Sequence, residues 1–330
     1  MDFLQALDRL LSQKKLSPDV CQIIRSFFSS YYQGIKETNG DLDAAESILN
    51  TYLKFILEQY KTPYQFPSYH PAEYAPIDYA KFGLDFFDPL IDRAKSEVKN
   101  SAVLSQMEEK LARKENIILF ANHQVEPDPQ LIILMLREKH PKIAKDMIFV
   151  AGHRVTTDPF AIPFSLGCNL LCIYSKKHIE FVPELKEERL LHNRRTMSAM
   201  KDLLAEGGKC IFVAPSGGRD RFDAAGNITV APFDPQSIEM FRLVAKQSKV
   251  PAHFYPLALS TGALSPAPIK RTTTLAEPRT VHYTPIKLSF GEELFLDTMP
   301  AIDGLDKHQC REMRGTIIWE TVNHLYQQIR

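Results

Sequence analysis

His123 and Asp128 have the residue types and the spacing of a proton-transferring pair. They follow residues 117–121, an apolar run with the length and composition of a buried strand. Open α/β sheets place their binding crevices at the carboxyl ends of such strands. A tight turn there can bring the Asp128 carboxylate onto one ring nitrogen of His123, leaving the other nitrogen to accept a proton. The pattern therefore indicates general-base chemistry.

A plainer interpretation fits the same spacing. An aspartate before Pro129 is a common helix N-cap, and proline is favoured at the first helical position. One of ten histidines can also be an ordinary polar residue in a loop. Spacing alone leaves both interpretations open.

Two further predicted strands are followed by cationic side chains. Lys177 and His178 come after one strand, and Arg219 and Arg221 come after another. Guanidinium forks match phosphate oxygens, and the two glycines before Arg219 let the backbone approach a ligand closely. Convergence of these four side chains would form a pocket for a phosphate dianion. The alternatives are a solvated lysine pair, an ordinary turn, and a surface ion cluster at residues 219–221.

The sequence lacks the motifs of several other kinds of site. It has no GxxxxGK[ST] and no GxGxxG after a strand, so the phosphate is not expected to belong to a nucleotide bound by those routes. Glu126 lies three residues after His123, but no further His or Cys clusters nearby, so we expect no metal. The absence of a G-x-S-x-G elbow argues against an α/β-hydrolase serine. No cofactor is predicted.

Composition argues against several classes of protein. The 330 residues include 40 Lys plus Arg and 40 Asp plus Glu, which gives no case for a generic binder of nucleic acid or anionic membranes. Five scattered cysteines without CxxC spacing indicate reduced thiols in a cytosol-like compartment. No run approaches the ~18 apolar residues of a spanning helix. We therefore expect no transmembrane anchor, with transient contact with a membrane surface left open.

The order of elements predicts an α/β fold, with a mixed central sheet flanked by helices and a small N-terminal helical bundle. Apolar stripes at helical spacing predict three helices in residues 1–60. Residues 61–80 interleave prolines with aromatics and predict an extended connector, and residues 81–330 form the α/β domain. Strands are predicted at residues 117–121, 147–150, 170–173, 210–213, 254–259 and 281–290, and helices near residues 88–98, 101–113, 129–136, 187–205, 235–247 and 306–328.

The residues after these strands also resemble a known family. Residues 122–129, Asn-His-Gln-Val-Glu-Pro-Asp-Pro, look like the NHxxxxD acyltransferase motif. With residues 149–160, 174–178 and 214–221, they resemble the soluble, plastid-type glycerol-3-phosphate acyltransferases over most of the chain. The wider superfamily usually has Ser or Thr where this chain has Val125. A second departure, Pro-Ser-Gly-Gly in place of Pro-Glu-Gly-Thr, is typical of the plastid-type branch.

The resemblance implies transfer of a fatty acyl group from acyl-[acyl carrier protein] or acyl-coenzyme A to the sn-1 hydroxyl of glycerol 3-phosphate. The product would be lysophosphatidate, in the first step of glycerophospholipid synthesis. Plastid members carry a transit peptide that this sequence lacks, so we expect a cytoplasmic enzyme, or one of the plastid stroma if such a peptide has been removed. Roles are implied for six residues, two catalytic and four holding glycerol phosphate: His123 and Asp128, and Lys177, His178, Arg219 and Arg221.

Two alternative functions stay open. The same machinery could acylate another phosphate-bearing acceptor such as a lysophospholipid, or the basic residues could belong to a non-catalytic module that binds anions or carrier protein. An acidic acyl carrier protein would need a basic face, unless the cations below only solvate a helix. Candidates for that face are Lys176, Lys186, Arg194, Arg195 and Lys201.

Overall fold

The computed structural model describes residues 2–223, 227–267 and 278–330. Six side chains within these ranges lie outside the description: Asp2, Phe3, Lys176, Lys177, Phe181 and Phe222. The described chain forms an eight-stranded mixed sheet flanked by helices, which confirms the predicted α/β class.

The strands, numbered in chain order, are β1 (Tyr69–His70), β2 (Glu97–Lys99), β3 (Asn116–Ala121), β4 (Ile148–Gly152), β5 (Asn169–Ile173), β6 (Cys210–Val213), β7 (Arg221–Phe222), β8 (Ile228–Thr229), β9 (Ala252–Ser260) and β10 (Lys287–Phe290). The sheet order is β1-β5-β4-β6-β3-β9-β10-β2, and β7 pairs separately with β8. Central β3 is parallel to both of its neighbours, β6 and β9. The carboxyl ends of these three strands therefore open on one edge of the sheet.

The helices are α1 (Asp2–Ser12), α2 (Pro18–Glu37), α3 (Leu42–Lys61), α4 (Tyr79–Phe87), α5 (Ser101–Ala112), α6 (Asp128–Leu136), α7 (Pro141–Asp146), α8 (His153–Thr157), α9 (Ile162–Ser165), α10 (Lys176–Phe181), α11 (Lys186–Glu206), α12 (Pro235–Gln247) and α13 (Lys307–Gln327). Short 3₁₀ turns lie at Asp88–Leu90, Pro183–Leu185 and Pro300–Ile302. No described helix is both long and apolar enough to cross a membrane.

Helices α1 to α3 carry the three predicted apolar stripes. Ser17 caps α2, where its side-chain oxygen accepts a hydrogen bond of 3.4 Å from the N–H of Val20. The buried Tyr52 of α3 reaches into the rest of the molecule and donates its hydroxyl to the carbonyl of Phe160 at 2.7 Å. The helices thus share a hydrophobic core with one face of the sheet. The division into residues 1–60, 61–80 and 81–330 stays a prediction.

The helix predicted near residues 88–98 is wrong. A 3₁₀ turn there gives way to an extended backbone at Ile91, and residues 97–99 form β2 instead. The helix of this region lies earlier, as α4, and is capped by the side chain of Asp78. Pairing of β2 with β10, which is distant in sequence, outweighs the local helical pattern.

The strand predicted at residues 281–290 is shorter than expected, since only its last four residues form β10. Pro285 has no N–H to donate to a ladder, which explains why the regular strand begins after it. The connector at residues 61–80 supplies the two-residue edge strand β1, antiparallel to β5. Its prolines suit this edge position.

The six residues of β3 are all buried, and successive side chains point to opposite faces of the sheet. Ile117 and Leu119 join the core that includes α1 to α3. Ile118 and Phe120 join a second core with α12 and α13. Burial on both faces explains the uninterrupted apolar run in the sequence and fixes the strand that leads into the turn with His123.

Candidate active site

Strand β3 ends at Ala121, and His123 follows in the turn that leads to α6. The Nδ1–H of His123 donates to Oδ2 of Asp128 over 2.7 Å. The imidazole is 25% exposed and the Asp128 side chain is 1% exposed, so one end of the pair can meet a substrate while the other is buried. With Nδ1 engaged by the carboxylate, Nε2 is the nitrogen that can take a proton.

The Asp128 carboxylate is fixed from two segments of the chain. Its Oδ2 also accepts hydrogen bonds from the backbone N–H groups of Gln124 (2.9 Å) and Val125 (3.3 Å). Its Oδ1 accepts a 2.6 Å bond from the hydroxyl of Thr261, which follows β9. These donors precede α6 or lie outside it, so Asp128 does not act as the N-cap of that helix. Val125 contributes through its backbone, which explains why this bond does not depend on a Ser or Thr side chain there.

Asp220 ties the His123 turn to the segment after β6. Asn122 donates its side-chain amide to Oδ2 of Asp220 at 2.7 Å, and Gln124 donates to the same oxygen at 3.3 Å. The Asp220 N–H donates to the carbonyl of His123 at 2.6 Å. Burial raises the pKa of Asp220 to about 6, against the lowering effect of these donors and of the Ala231 N–H. The predicted alternative of a surface ion cluster is therefore wrong for this residue, which is 3% exposed.

Glu126 is the link between the His123 turn and the arginines. Its Oε1 lies 3.2 Å from Nε of Arg154 and 4.0 Å from a terminal nitrogen of Arg219. Burial would raise the pKa of this carboxyl, but Arg279, Arg219 and Arg154 outweigh burial and lower it to about 2. Glu126 is therefore an anion with arginines on more than one side.

Arg279 reaches this cluster from the segment before β10. Its guanidinium donates to Oε2 of Glu126 at 3.1 Å and to Oδ2 of Asp158 at 2.6 Å, and lies 5.2 Å from the ring centre of Phe160. Burial works against the charge of Arg279, but Glu126 and Asp158 together raise its pKa. Burial dominates for Asp158, whose pKa is raised despite the nearby guanidinium.

His178 lies at the start of α10, beside a second group of rings. Its ring is 5.1 Å from that of His153, and its Nδ1 lies 2.8 Å from the hydroxyl of Ser175. Burial, Arg189 and Arg154 lower the pKa of His178. Because Arg154 also pairs with Glu126, His178 belongs to the same electrostatic neighbourhood as the arginines.

The predicted anion residues are thus only partly brought together by described contacts. Arg219 approaches Glu126, and His178 is coupled to the same group through Arg154. Arg221 lies at the start of β7, next to Asp220. Lys177 belongs to α10, but its side chain lies outside the described residues.

Sequence reasoning missed Thr261, Arg154 and Arg279 as members of the site. Thr261 follows a predicted strand and was detectable as a hydroxyl at a carboxyl end. Arg279 follows no predicted strand, and only the tertiary structure places it. Among the described residues, no three His, Cys, Asp or Glu side chains are grouped so as to hold a metal ion.

In this site, a buried carboxylate orients an imidazole beside a cluster of arginines. This arrangement can remove a proton from a hydroxyl whose anionic end is held nearby. A family model described as Acyltransferase matches residues 102–260, which include the turn from His123 to Asp128 and residues 219–221.

The chain was also compared with individual proteins, and two relatives match it over almost its full length. A chloroplastic glycerol-3-phosphate acyltransferase of Cucurbita moschata is 35% identical over 333 aligned residues, covering 100% of this chain and 72% of that protein. The chloroplastic enzyme of Spinacia oleracea is 34% identical, covering 99% and 71%. The solved 1-acyl-sn-glycerophosphate acyltransferase of Thermotoga maritima covers 75% of this chain and 78% of its own, at 16% identity and a TM-score of 0.41. The chain belongs to the glycerol-3-phosphate acyltransferase family and is an enzyme.

Proposed function

We propose that this protein transfers a fatty acyl group from a thioester, on acyl carrier protein or coenzyme A, to the sn-1 hydroxyl of glycerol 3-phosphate. The proposal rests on the 2.7 Å contact between His123 and the buried Asp128. Arginines that approach Glu126 lie close to this pair. Membership of the glycerol-3-phosphate acyltransferase family supports the choice of acceptor.

In the proposed mechanism, Nε2 of His123 takes the proton of the sn-1 hydroxyl as its oxygen attacks the thioester carbonyl. The Asp128 carboxylate keeps the imidazole in the correct tautomer and stabilises the imidazolium that forms. Collapse of the tetrahedral intermediate breaks the carbon–sulfur bond, and the imidazolium returns the proton to the leaving thiolate. The products are lysophosphatidate and the free thiol, and no acyl-enzyme forms.

The proposed role of Lys177, His178, Arg219 and Arg221 is to hold the phosphate of the acceptor. The phosphate does not change during the reaction, so its contacts serve binding and orientation. Holding the alcohol in place makes a weak nucleophile effective, because the two reactants no longer need to find each other in the transition state.

The donor surface is proposed on α11. Four of its predicted cations are exposed and suit an acidic acyl carrier protein, namely Lys186, Arg194, Arg195 and Lys201, while the side chain of Lys176 lies outside the described residues. Screening by salt should weaken such an encounter. We therefore expect kcat/KM with acyl carrier protein thioester to fall steeply as ionic strength rises, and a flat response would contradict this surface.

The decisive experiment is His123→Ala. Thiol release from the acyl donor should fall by about 10²–10⁴-fold, which is the usual contribution of a general base. Glycerol 3-phosphate binding, measured by calorimetry, should stay within about threefold of the wild type, because the phosphate contacts remain. Unchanged turnover would show that His123 is not the general base.

Two further measurements test whether the attack is direct and which molecule is the acceptor. Acid quench during turnover should trap no acyl group on the protein, and a covalent acyl-enzyme would rule out direct attack. Turnover with glycerol 3-phosphate should exceed turnover with lysophosphatidate. The reverse order would make a lysophospholipid the acceptor.

A further inference from the structure

Arg279 is a buried cation to which the proposed mechanism gives no role. Its side chain is 10% exposed, compared with 12% for Arg219 and 27% for Arg154. It bridges the carboxylates of Glu126 and Asp158. Removing one member of such a pair leaves an uncompensated buried charge. The loss of Arg279 would therefore change the electrostatic environment of the neighbouring arginines.

The described ion pairs around Glu126 join unequal numbers of opposite charges. Among the described residues, two carboxylates, of Glu126 and Asp158, face three guanidiniums, of Arg279, Arg154 and Arg219. The cluster therefore carries one net positive charge if all five groups are ionised. Without Arg279, the other two guanidiniums and the two carboxylates would carry no net charge, and these four groups would attract an incoming anion more weakly.

The distances show how Arg279 affects the other arginines. Arg279 donates a hydrogen bond of 3.1 Å to Oε2 of Glu126, whereas a terminal nitrogen of Arg219 lies 4.0 Å from Oε1, beyond hydrogen-bond range. A carboxylate relieved of Arg279 would attract Arg219 and Arg154 more strongly and draw them into shorter pairs. Their guanidiniums would then turn towards Glu126 and away from a ligand.

We infer that Arg279 is a positioning residue for the acceptor anion. It offsets part of the negative charge of Glu126 and Asp158, so that the guanidiniums of Arg219 and Arg154 stay oriented towards a phosphate. Arg279 acts on the anion only through its neighbours. The inference rests on the proposed function, in which this region binds the phosphate of the acceptor.

The first test is steady-state kinetics of Arg279→Gln. The KM for glycerol 3-phosphate should rise by about tenfold, the scale of one charge-assisted hydrogen bond. The donor KM should be unchanged, and kcat should change by less than about threefold. Arg279→Lys should restore part of the acceptor KM, because it returns the charge without the bidentate fork.

The second test is the double variant Arg279→Gln with Glu126→Gln. If Arg279 acts by neutralising Glu126, its removal should raise the acceptor KM by less than about threefold once Glu126 is already neutral. A purely structural role would give additive or larger losses instead. The double variant is compared with Glu126→Gln alone and removes both partners of the Arg279–Glu126 pair, while Asp158 keeps the hydrogen bond from the N–H of Phe160, so the comparison remains possible if Arg279→Gln alone does not fold.

Arg242→Gln is the matched control. Arg242 is also a poorly exposed arginine between two carboxylates, Glu239 and Asp297, and it lies on α12, outside the segments that form the site. Its loss should leave the acceptor KM unchanged even if the melting temperature falls. An equal rise of acceptor KM in this variant would overturn the inference.

Calorimetry with inorganic phosphate separates the inference from the proposed function. Failure of the wild-type protein to acylate glycerol 3-phosphate would refute the function, whereas phosphate binding would still test Arg279. Arg279→Gln should weaken phosphate binding by about tenfold. The inference is wrong if the variant binds phosphate as the wild type does.

Discussion

The turn from His123 to Asp128 and the arginine cluster around Glu126 are built in different ways. In the turn, His123 and Asp128 are five residues apart, and backbone N–H groups hold the carboxylate at 2.9 and 3.3 Å. In the cluster, long side chains from several distant segments approach one carboxylate at 3.1, 3.2 and 4.0 Å. The turn is fixed largely by its backbone, and the cluster is fixed by a balance of charges.

This difference matches what each region is proposed to do. Proton transfer needs atoms placed to within a fraction of an ångström, which short backbone hydrogen bonds to a buried residue can ensure. Attraction of a phosphate acts over longer distances and tolerates adjustment of flexible side chains. Damage to the turn should therefore reduce kcat, whereas damage to the cluster should raise the KM of the acceptor.

The largest effect is expected from Asp128→Asn. The substitution keeps the shape of the side chain but removes the negative charge that stabilises the imidazolium, and its amide cannot accept all the bonds that the carboxylate accepts. We expect kcat to fall by about 10²–10⁴-fold with the acceptor KM within about threefold. A raised acceptor KM with an intact kcat would contradict the contrast between the two regions.

A smaller effect is expected from Arg219→Ala and Arg221→Ala. Each should raise the KM for glycerol 3-phosphate by about 10–100-fold, with the donor KM little changed. Arg219→Lys should recover only part of the loss, since an ammonium cannot reproduce the planar fork. If both alanine variants alter only the donor KM, Arg219 and Arg221 serve the thioester carrier instead.

Thr261→Val should have a modest effect that is confined to the turn. It removes the hydroxyl that donates to Oδ1 of Asp128 at 2.6 Å and leaves the backbone bonds in place. Loss of one hydrogen bond should lower kcat by about three- to tenfold. Thr261→Ser, which keeps the hydroxyl, is the control and should stay close to the wild type; a similar loss in both variants would show that the effect does not come from this hydrogen bond.

The smallest effect is expected from His153→Gln, on the pH dependence of the free energy of unfolding. Burial, with help from His178 and Arg189, lowers the pKa of His153 from 6.5 to about 4. Between these pH values His153 binds a proton in the unfolded chain but not in the folded chain, so the contribution of His153 to the free energy of unfolding falls as the pH falls, opposite in sign to that of Asp220. His153→Gln should flatten this decline in urea unfolding at pH 7 and pH 5. Substitution of the exposed His308 should leave the slope unchanged.

Much of the scaffold could be predicted from the sequence because its signals are local. The apolar run of β3, the stripes of α1 to α3 and the capped start of α2 need only neighbouring residues to be recognised. The contact between His123 and Asp128 is similar, since both belong to one turn after a buried strand. Residues close in sequence can meet in few ways, so their spacing already limits their geometry.

The tertiary structure decided the rest. Thr261 meets Asp128 across 133 positions, and Arg279 meets Glu126 across 153. The helix wrongly predicted near residues 88–98 gave way to a strand for the same reason, since its partner β10 lies far along the chain. Local pattern does not specify which distant segments become neighbours, because that depends on strand order and on the burial of two shared cores. The sequence by itself therefore limited the geometry of the His123–Asp128 contact, and only the fold determined which charges lie beside it.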